Sequence, residues 1–341
     1  MPVEESGSTI GVVVVAFNAA DVIAECLDSL LALEGSKVRI VVVDNASTDH
    51  TQAVLREWAQ SLGPALLTEI AGPEAADGLA QGQVNLLHSG VNRGFAGGVN
   101  LGLKALAACP EITHFWILNP DAFAHPKAAL AILAAADATP GYGLMGGRVC
   151  YAEPPHRIQI DGGTINHWTG VTSNINLGAP AATAVMPKAQ AMDFITGANL
   201  VASRRFYETV GPMREDYFLY YEEADWALRR GTLPMIIAPE FLVFHHAGTA
   251  IGSPTLERIA SPFSFWFKYR SRMKFLLRFY PAAIPVAVAY ATAKAVQLMI
   301  KGAMPQALTL LRAVYGLTAP KSVRDRLSPE AERIAFGKTS S

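Results

Sequence analysis

Glu222, Glu223 and Asp225 crowd three carboxylates into four positions, directly behind the aromatic run Tyr217-Phe-Leu-Tyr-Tyr221. A carboxylate held against apolar rings loses hydration, and its proton affinity climbs toward that of a general base able to take a proton from a hydroxyl. The same stretch also reads as a well-capped surface helix. Its acids fall in the first turn, Arg229 and Arg230 lie near its end, Gly231 sits at the C-cap position, and Asp225 pairs with Arg229 at i,i+4.

Two further places could hold a cation. His114-Phe-Trp-Ile-Leu118 reads as a buried strand that stops at Asn119-Pro120-Asp121. Proline cannot donate to a ladder and keeps its predecessor out of the helical region, so Asp121 leaves the sheet end in a fixed direction. There it is either a divalent-metal ligand or a turn aspartate. Farther on, His245 and His246 follow the strand-like run 235–244, and adjacent imidazoles at a strand exit suit a transition metal. Small residues at 94, 96, 97, 98 and 102 open a helix and let backbone approach either a phosphate or a neighbouring strand.

These residues need a scaffold. Residues 10–17 and 39–44 are continuous β-branched runs, the pattern of strands buried on both faces of a parallel sheet, and a helical pattern follows each. Residues 84–88 and 114–118 add two more strands, while 63–83 read as a loop or insertion. Strand–helix alternation with short connections is the βαβ arrangement, whose ligands bind at the carboxyl ends of the strands. From 146 to 194 the pattern shifts to short strands and loops, consistent with a substrate-facing lobe. The run 235–244 reads as an edge or terminal strand broken by Pro239.

Of the 341 residues 51% are apolar, enough for a large core. Cys26, Cys109 and Cys150 form no CxxC pair and read as core thiols of a reducing compartment. The first residues carry no basic region, and the apolar run 10–17 is too short for a signal or a span, so the expectation is a cytoplasmic protein. The net charge of −1 conceals a split: residues 1–250 hold 14 Lys and Arg against 25 Asp and Glu, and residues 251–341 hold 14 against 4. A basic tail on an acidic body points to an anionic surface as partner.

Seven motifs occur in a familiar order: Ala16-Phe17-Asn18, Val43-Asp44-Asn45-Ala46-Ser47-Thr48-Asp49, Asn92-Arg-Gly94-Phe95 with the small residues after it, Leu118-Asn119-Pro120-Asp121, Thr196-Gly197-Ala198, Leu219-Tyr-Tyr-Glu222-Glu223-Ala-Asp225-Trp226, and His245-His246-Ala-Gly248. With them the chain resembles the inverting, nucleotide-sugar-dependent glycosyltransferases of family 2, which have the GT-A fold, and among them the rhamnosyltransferase-like group. The resemblance implies an α/β GT-A domain over 1–250, with a nucleotide-binding half near 8–122 and an acceptor half near 123–250; residues 251–341, outside the strong part of the match, read as a basic, aromatic C-terminal helical extension.

It also implies roles. Ala16, Phe17, Asn18 and Ser47 would line the base and ribose pocket, and Asp44 would accept a hydrogen bond from the imide N–H of uracil or thymine. Asn92, Gly94 and Phe95 would close over the nucleotide. Asn119 and Asp121 would meet the diphosphate, Asp121 holding Mg²⁺ or Mn²⁺ with His245. Glu223 would be the general base, and Glu222 and Asp225 would orient it or bind acceptor hydroxyls. Gly197, Ala198 and Trp226 would shape the acceptor side. The implied reaction moves a sugar, rhamnose from dTDP-rhamnose or another dTDP- or UDP-linked hexose, to a glycan or polyprenyl-linked glycan of cell-surface polysaccharide.

Three departures bear on that likeness. The usual Asp-x-Asp metal motif is Asn119-Pro120-Asp121, leaving one charge. Glu223 stands where the family has Asp, and Met213-Arg214 replaces Phe-Asp. A catalytically impaired sugar-binding or scaffold protein of the same fold is therefore the alternative. A dinucleotide oxidoreductase would need GxGxxG after the first strand, where this chain has Ala16-Phe-Asn-Ala19.

In the tail, residues 262–280 interleave aromatic and basic side chains, the composition of a helix in a membrane interface, and the apolar run 282–293 is too short to span. The expectation is peripheral contact through 262–304 at the inner face of the cell membrane. Packing on the catalytic domain, or on a second copy in a homodimer, is the other way to bury such helices. The aromatics sit beside apolar stretches rather than in a polar groove, which argues against nucleic acid. Residues after Lys321 read as partly disordered.

Overall fold

The computed structural model describes residues 10–36, 38–63, 65–70, 79, 84–246 and 260–337. In the first part the β-branched runs become β1 (Ile10–Ala16), β2 (Arg39–Asp44), β3 (Leu67–Ile70), β4 (Val84–His88) and β5 (His114–Leu118). The amphipathic stretches between them become α1 (Ile23–Leu31), α2 (Thr51–Leu62) and α3 (Gly94–Ala107). These strands run parallel, and every β1 side chain is buried, as its unbroken apolar run requires.

The second part adds β6 (Ala122–Ala124), α4 (Ala128–Ala138), β7 (Leu144–Tyr151), β8 (Ile158–Ile160), β9 (Gly163–Ile165), β10 (Thr172–Asn174), β11 (Asn199–Ser203), α5 (Arg204–Val210), α6 (Glu222–Leu228) and β12 (Met235–His245). One sheet runs β3-β4-β2-β1-β5-β11-β7-β12-β6, with β8 beside β7, and β9–β10 form a separate hairpin. The result is the mixed α/β architecture expected, with β11 antiparallel against β5 where the two parts meet.

Three expectations change. Part of the supposed 63–83 loop is β3, the parallel partner of β4, while 71–78 and 80–83 lie outside the described residues. Pro239 does not break β12, because the register with β7 shifts between Ile237 and Leu242 and absorbs the missing donor. Nor is β12 wholly an edge, since β6 pairs with its last three residues.

The tail folds as α7 (Pro262–Phe279), α8 (Ile284–Ile300), α9 (Met304–Val314), α10 (Lys321–Arg324) and α11 (Pro329–Phe336), so residues 321–336, expected to be partly disordered, are mostly helical, while 338–341 lie outside the described residues. Helix α7 is not a free interfacial helix. Phe263, Trp266, Phe267 and Leu276 are buried in one cluster with Phe218 and Leu219 of the α/β body. The helical segment 281–300 is long and apolar enough to cross a membrane, contrary to the length read from the sequence, and 28% of it is buried. The expected boundary near 250 and Gly248 lie outside the described residues.

Helix α3 is pressed against β1 where glycine permits it: a Cβ at Gly98 or Gly102 would meet Val15 or Val13 at 2.5 Å. Part of the glycine cluster thus serves helix–strand packing. Gly94 does something else. Its φ is +72°, and a Cβ there would lie 2.2 Å from the Phe218 carbonyl oxygen, which accepts a hydrogen bond from Phe95 N–H at 2.8 Å. Gly90 has the same φ of +72° but open space around it. Gly90→Ala should therefore lose only the left-handed backbone term, about 1–2 kcal/mol, and Gly94→Ala a further ~1–3 kcal/mol from the clash, read as the difference in unfolding free energy. Equal losses at the two sites would show that the Phe218 contact is slack.

Candidate active site

A cavity opens at the carboxyl ends of β1, β2 and β5. Phe17, Asn92, Gly94, Phe95, Asn119 and Asp121 of the expected set line it. Asn18, at φ +52°, and Ser47 stand beside it, joined by a hydrogen bond from Asn18 N–H to Ser47 Oγ at 3.1 Å, and Ala16 pairs with Asp44 in the sheet. Asp44 is buried and does not line the cavity. Its Oδ1 accepts from Ser47 N–H at 3.1 Å and its Oδ2 from Gln52 Nε2 at 2.7 Å. The next residue, Asn45, part of the same motif but given no role there, lines the cavity instead and ties β2 to the α3 entrance through Gly94 O at 2.9 Å and Arg93 N at 3.0 Å.

Asp121 and His245 meet. His245 Nε2 lies 2.9 Å from Asp121 Oδ1 and 3.2 Å from Asn119 Nδ2, and Nδ1 lies 2.7 Å from Gln159 Oε1. The ring roles follow the tautomer: where Nδ1–H donates to Gln159, Nε2 turns a lone pair toward the carboxylate, and that tautomer suits a cation between the two. A carboxylate oxygen with a neutral imidazole fits a divalent ion whose other ligands are phosphate oxygens and water. Among the described residues no group of three or more His, Cys, Asp or Glu could enclose an ion, so the protein's share is this pair. His246 turns elsewhere, its Nε2 2.8 Å from Glu25 Oε2.

The segment leading to the glutamates is strained. Phe218, Tyr220 and Tyr221 have φ of +68°, +66° and +73°, a region that costs a non-glycine residue about 1–3 kcal/mol unless its surroundings impose it. Helix α7 imposes it. Ser271 Oγ donates to Leu219 O at 2.8 Å, Arg272 Nε donates to Tyr221 Oη at 2.9 Å, Ser264 Oγ lies 2.7 Å from Tyr220 Oη, and Lys274 Nζ donates to Asp216 O at 2.6 Å.

At the head of α6, Glu222 is buried and its Oε2 has no hydrogen-bond partner among the described residues. Burial first, then the neighbouring Glu223 charge, holds the Glu222 carboxyl well above the usual range. Burial pushes Glu223 up to about 7.

Asp225, expected to orient the base or to bind acceptor hydroxyls, turns inward. It is fully buried, its Oδ1 accepting from Arg229 Nε at 2.6 Å and its Oδ2 from Tyr217 Oη at 2.9 Å, so it anchors α6. Trp226 likewise faces the core, donating to Gly211 O at 2.8 Å and packing edge-on against Phe206. Gly197 and Ala198 do lie at the centre: a Cβ on Gly197 would meet the Phe95 ring at 3.0 Å, and Ala198 O accepts from Asn119 N–H at 3.2 Å. Sequence patterns also miss Phe263, Arg326 and Leu327, tail residues that line the cavity.

Residues 11–177 match the family model described as Glycosyl transferase family 2. The chain is 22% identical over 207 residues to the low-salt glycan biosynthesis hexosyltransferase Agl10 of Haloferax volcanii, a match covering 60% of this chain and 57% of that protein. It thus spans somewhat more than half the length of that relative. Among solved structures it is similar to the mannosyltransferase PcManGT from Pyrobaculum calidifontis in complex with GDP-Man and Mn²⁺, at a TM-score of 0.50 and 18% identity over 96% of this chain and 81% of that one. It is also similar to GalNAc-T7 with UDP, GalNAc and Mn²⁺, at a TM-score of 0.55 and 14% identity over 97% and 58%. These likenesses give the fold, which is GT-A.

The glutamate pair generates a pH test. The folded chain holds these protons more tightly than the unfolded one, so the stability it gains here is full below the ordinary glutamate value of 4.5 and is lost as pH rises through about 7. A base needs the opposite condition. Glu223→Gln should lower transfer about 10²–10⁴-fold. Its melting temperature should exceed the native one near pH 8 and match it near pH 5. The native kcat/KM should rise through about pH 7. A flat native profile, or a Gln variant that turns over normally, would remove Glu223 from the base role.

Proposed function

We propose that this chain, which carries a glycosyl transferase family 2 domain over residues 11–177, is an inverting hexosyltransferase. It moves a deoxyhexose such as rhamnose from a dTDP or UDP donor to a glycan or polyprenyl-linked glycan. The observation that carries this reading is one cavity shared by Asp121, the Asn92–Phe95 turn and Phe218-Leu219, the run that leads into the buried Glu222 and the half-buried Glu223, neither of which lines that cavity itself.

Each part has a chemical task. Phe17, Asn92 and Phe95 receive the nucleoside. Glu223 takes the proton of an acceptor hydroxyl as that oxygen attacks the anomeric carbon from the face opposite the leaving diphosphate, which inverts the configuration. Glu222, kept neutral by its burial and its neighbour, leaves Glu223 as the titrating partner. Asp121 and His245 would hold a divalent cation, which when bound would supply charge stabilisation to the departing diphosphate. The Mn²⁺ in the complexes of PcManGT and GalNAc-T7 supports that choice of metal.

The departure at Asn119 favours a second reading, a nucleotide-sugar-binding protein without turnover. Release of free nucleoside diphosphate from dTDP- and UDP-sugars, measured with and without Mn²⁺, separates the two. In the enzyme, Asp121→Asn should remove the Mn²⁺-dependent part of turnover and of the rise in melting temperature caused by UDP. An unchanged metal response in that variant would move the metal elsewhere.

The reading includes work at a membrane surface on the cytoplasmic side, and the exposed apolar side chains of the tail are what support contact with a membrane. Val286, Tyr290, Val296 and Ile300 of α8 and Met304 and Leu308 of α9 are exposed, Ile300 at 82%. Apolar contact of this kind should survive salt, so flotation with neutral phosphatidylcholine vesicles should carry the protein, and V296E with I300E should release it. Binding only to anionic vesicles, reversed by salt, would overturn the apolar mode.

A further inference from the structure

Arg326 sits on the short turn between α10 and α11, and that turn is held at both ends. Val323 before it and Ala331 and Ala335 after it are fully or almost fully buried against the helical tail. Ser328 caps α11 by accepting from Ala331 N–H at 3.2 Å, and Phe336 at its far end stacks on Phe267 at 5.9 Å. The turn carries Arg326 and Leu327 into the lining of the cavity that holds Asp121. Its guanidinium lies 4.5 Å over the Phe263 ring, itself a lining residue, and forms no ion pair with any described carboxylate. Stacking fixes the plane of the guanidinium and leaves its N–H donors free to bond.

Charge makes the position informative. Of the described residues lining the cavity, Asp121 and Arg326 alone are charged. A nucleoside diphosphate brings several negative charges, and Asp121 repels them unless cations intervene. Asn119 stands where a second metal-binding carboxylate would be, so the ion is held by little protein charge. A planar cation with paired donors suits phosphate oxygens in a way a point charge does not.

We propose that Arg326, delivered by the C-terminal turn, binds the donor's diphosphate as the pocket's second cation beside the metal at Asp121. This rests on the donor reading above. The helical tail is then part of the nucleotide site, and a guanidinium shares with the metal the charge that grows on the leaving group.

Binding of UDP and of uridine to the native chain, Arg326→Ala and Arg326→Lys, at saturating Mn²⁺, tests it; calorimetry reads UDP and chemical-shift titration reads the weaker nucleoside. Arg326→Ala should lose about tenfold or more in UDP affinity and nothing for uridine, with Arg326→Lys in between. Arg326 is exposed, so the variants should melt with the native protein. Unchanged UDP affinity in Arg326→Ala overturns the proposal while the donor reading stands. An equal loss for uridine also overturns it, because the residue then shapes the pocket without touching phosphate. Failure of the native chain to bind UDP or dTDP sinks the donor reading and this inference with it.

Discussion

The site depends on a backbone contact between distant parts of the chain: Phe95 N–H donating to Phe218 C=O, with glycine at 94 because nothing larger fits beneath that carbonyl. On one side stands the α3 entrance, which β1 holds from below and Asn45 from the flank. On the other is an aromatic segment with no regular hydrogen-bonding pattern of its own. The contact aligns the two, so Phe218 and Leu219 share a cavity with Asn92 and Asp121. A shift of this seam would move the segment that leads into the glutamates away from the strand ends.

Holding the seam requires opposing large local penalties. Three aromatic residues in the left-handed region and the buried Glu222 beside a second glutamate each disfavour the folded state, in a molecule whose net stability is only about 5–15 kcal/mol. What offsets them is α7. Its polar face donates to backbone and phenol oxygens of residues 216–221, and its apolar face buries Phe267 and Leu276. Strain and desolvation are thereby concentrated where a raised proton affinity has a chemical use, and the helix that sustains them lies outside the α/β sheet.

Much of this was legible in the residues. Unbroken β-branched runs announce buried parallel strands because a strand covered on both faces can show no polar side, and Pro120 marks the strand end that carries Asp121. What escaped legibility did so for physical reasons. Pro239 signals an interruption, but a register shift lets a paired strand pass a missing donor. Asp225 and Trp226 sit among catalytic-looking neighbours, yet at successive 100° steps around a short helix they point into the core. Three-dimensional packing alone brings Phe263 and Arg326 to a pocket built from residues far earlier in the chain, and no local pattern encodes that.

The charge split between body and tail illustrates the same difficulty. Counted along the chain, 14 cations against 4 anions in residues 251–341 describe a tail seeking an anionic surface. In the fold, several of those cations face the catalytic body. Lys274 and Arg278 pair with Asp216, Arg270 lies near the Asp216 and Tyr217 carbonyls, and Arg272 is buried between Tyr221 and the Tyr269 ring. The acidic body and the basic tail therefore neutralise one another in part, and less field remains for lipid than the count suggests. The outward-facing remainder of the tail is largely apolar, along α8 and α9, so burial of apolar surface rather than counter-ion attraction is the term that could draw this face to a membrane.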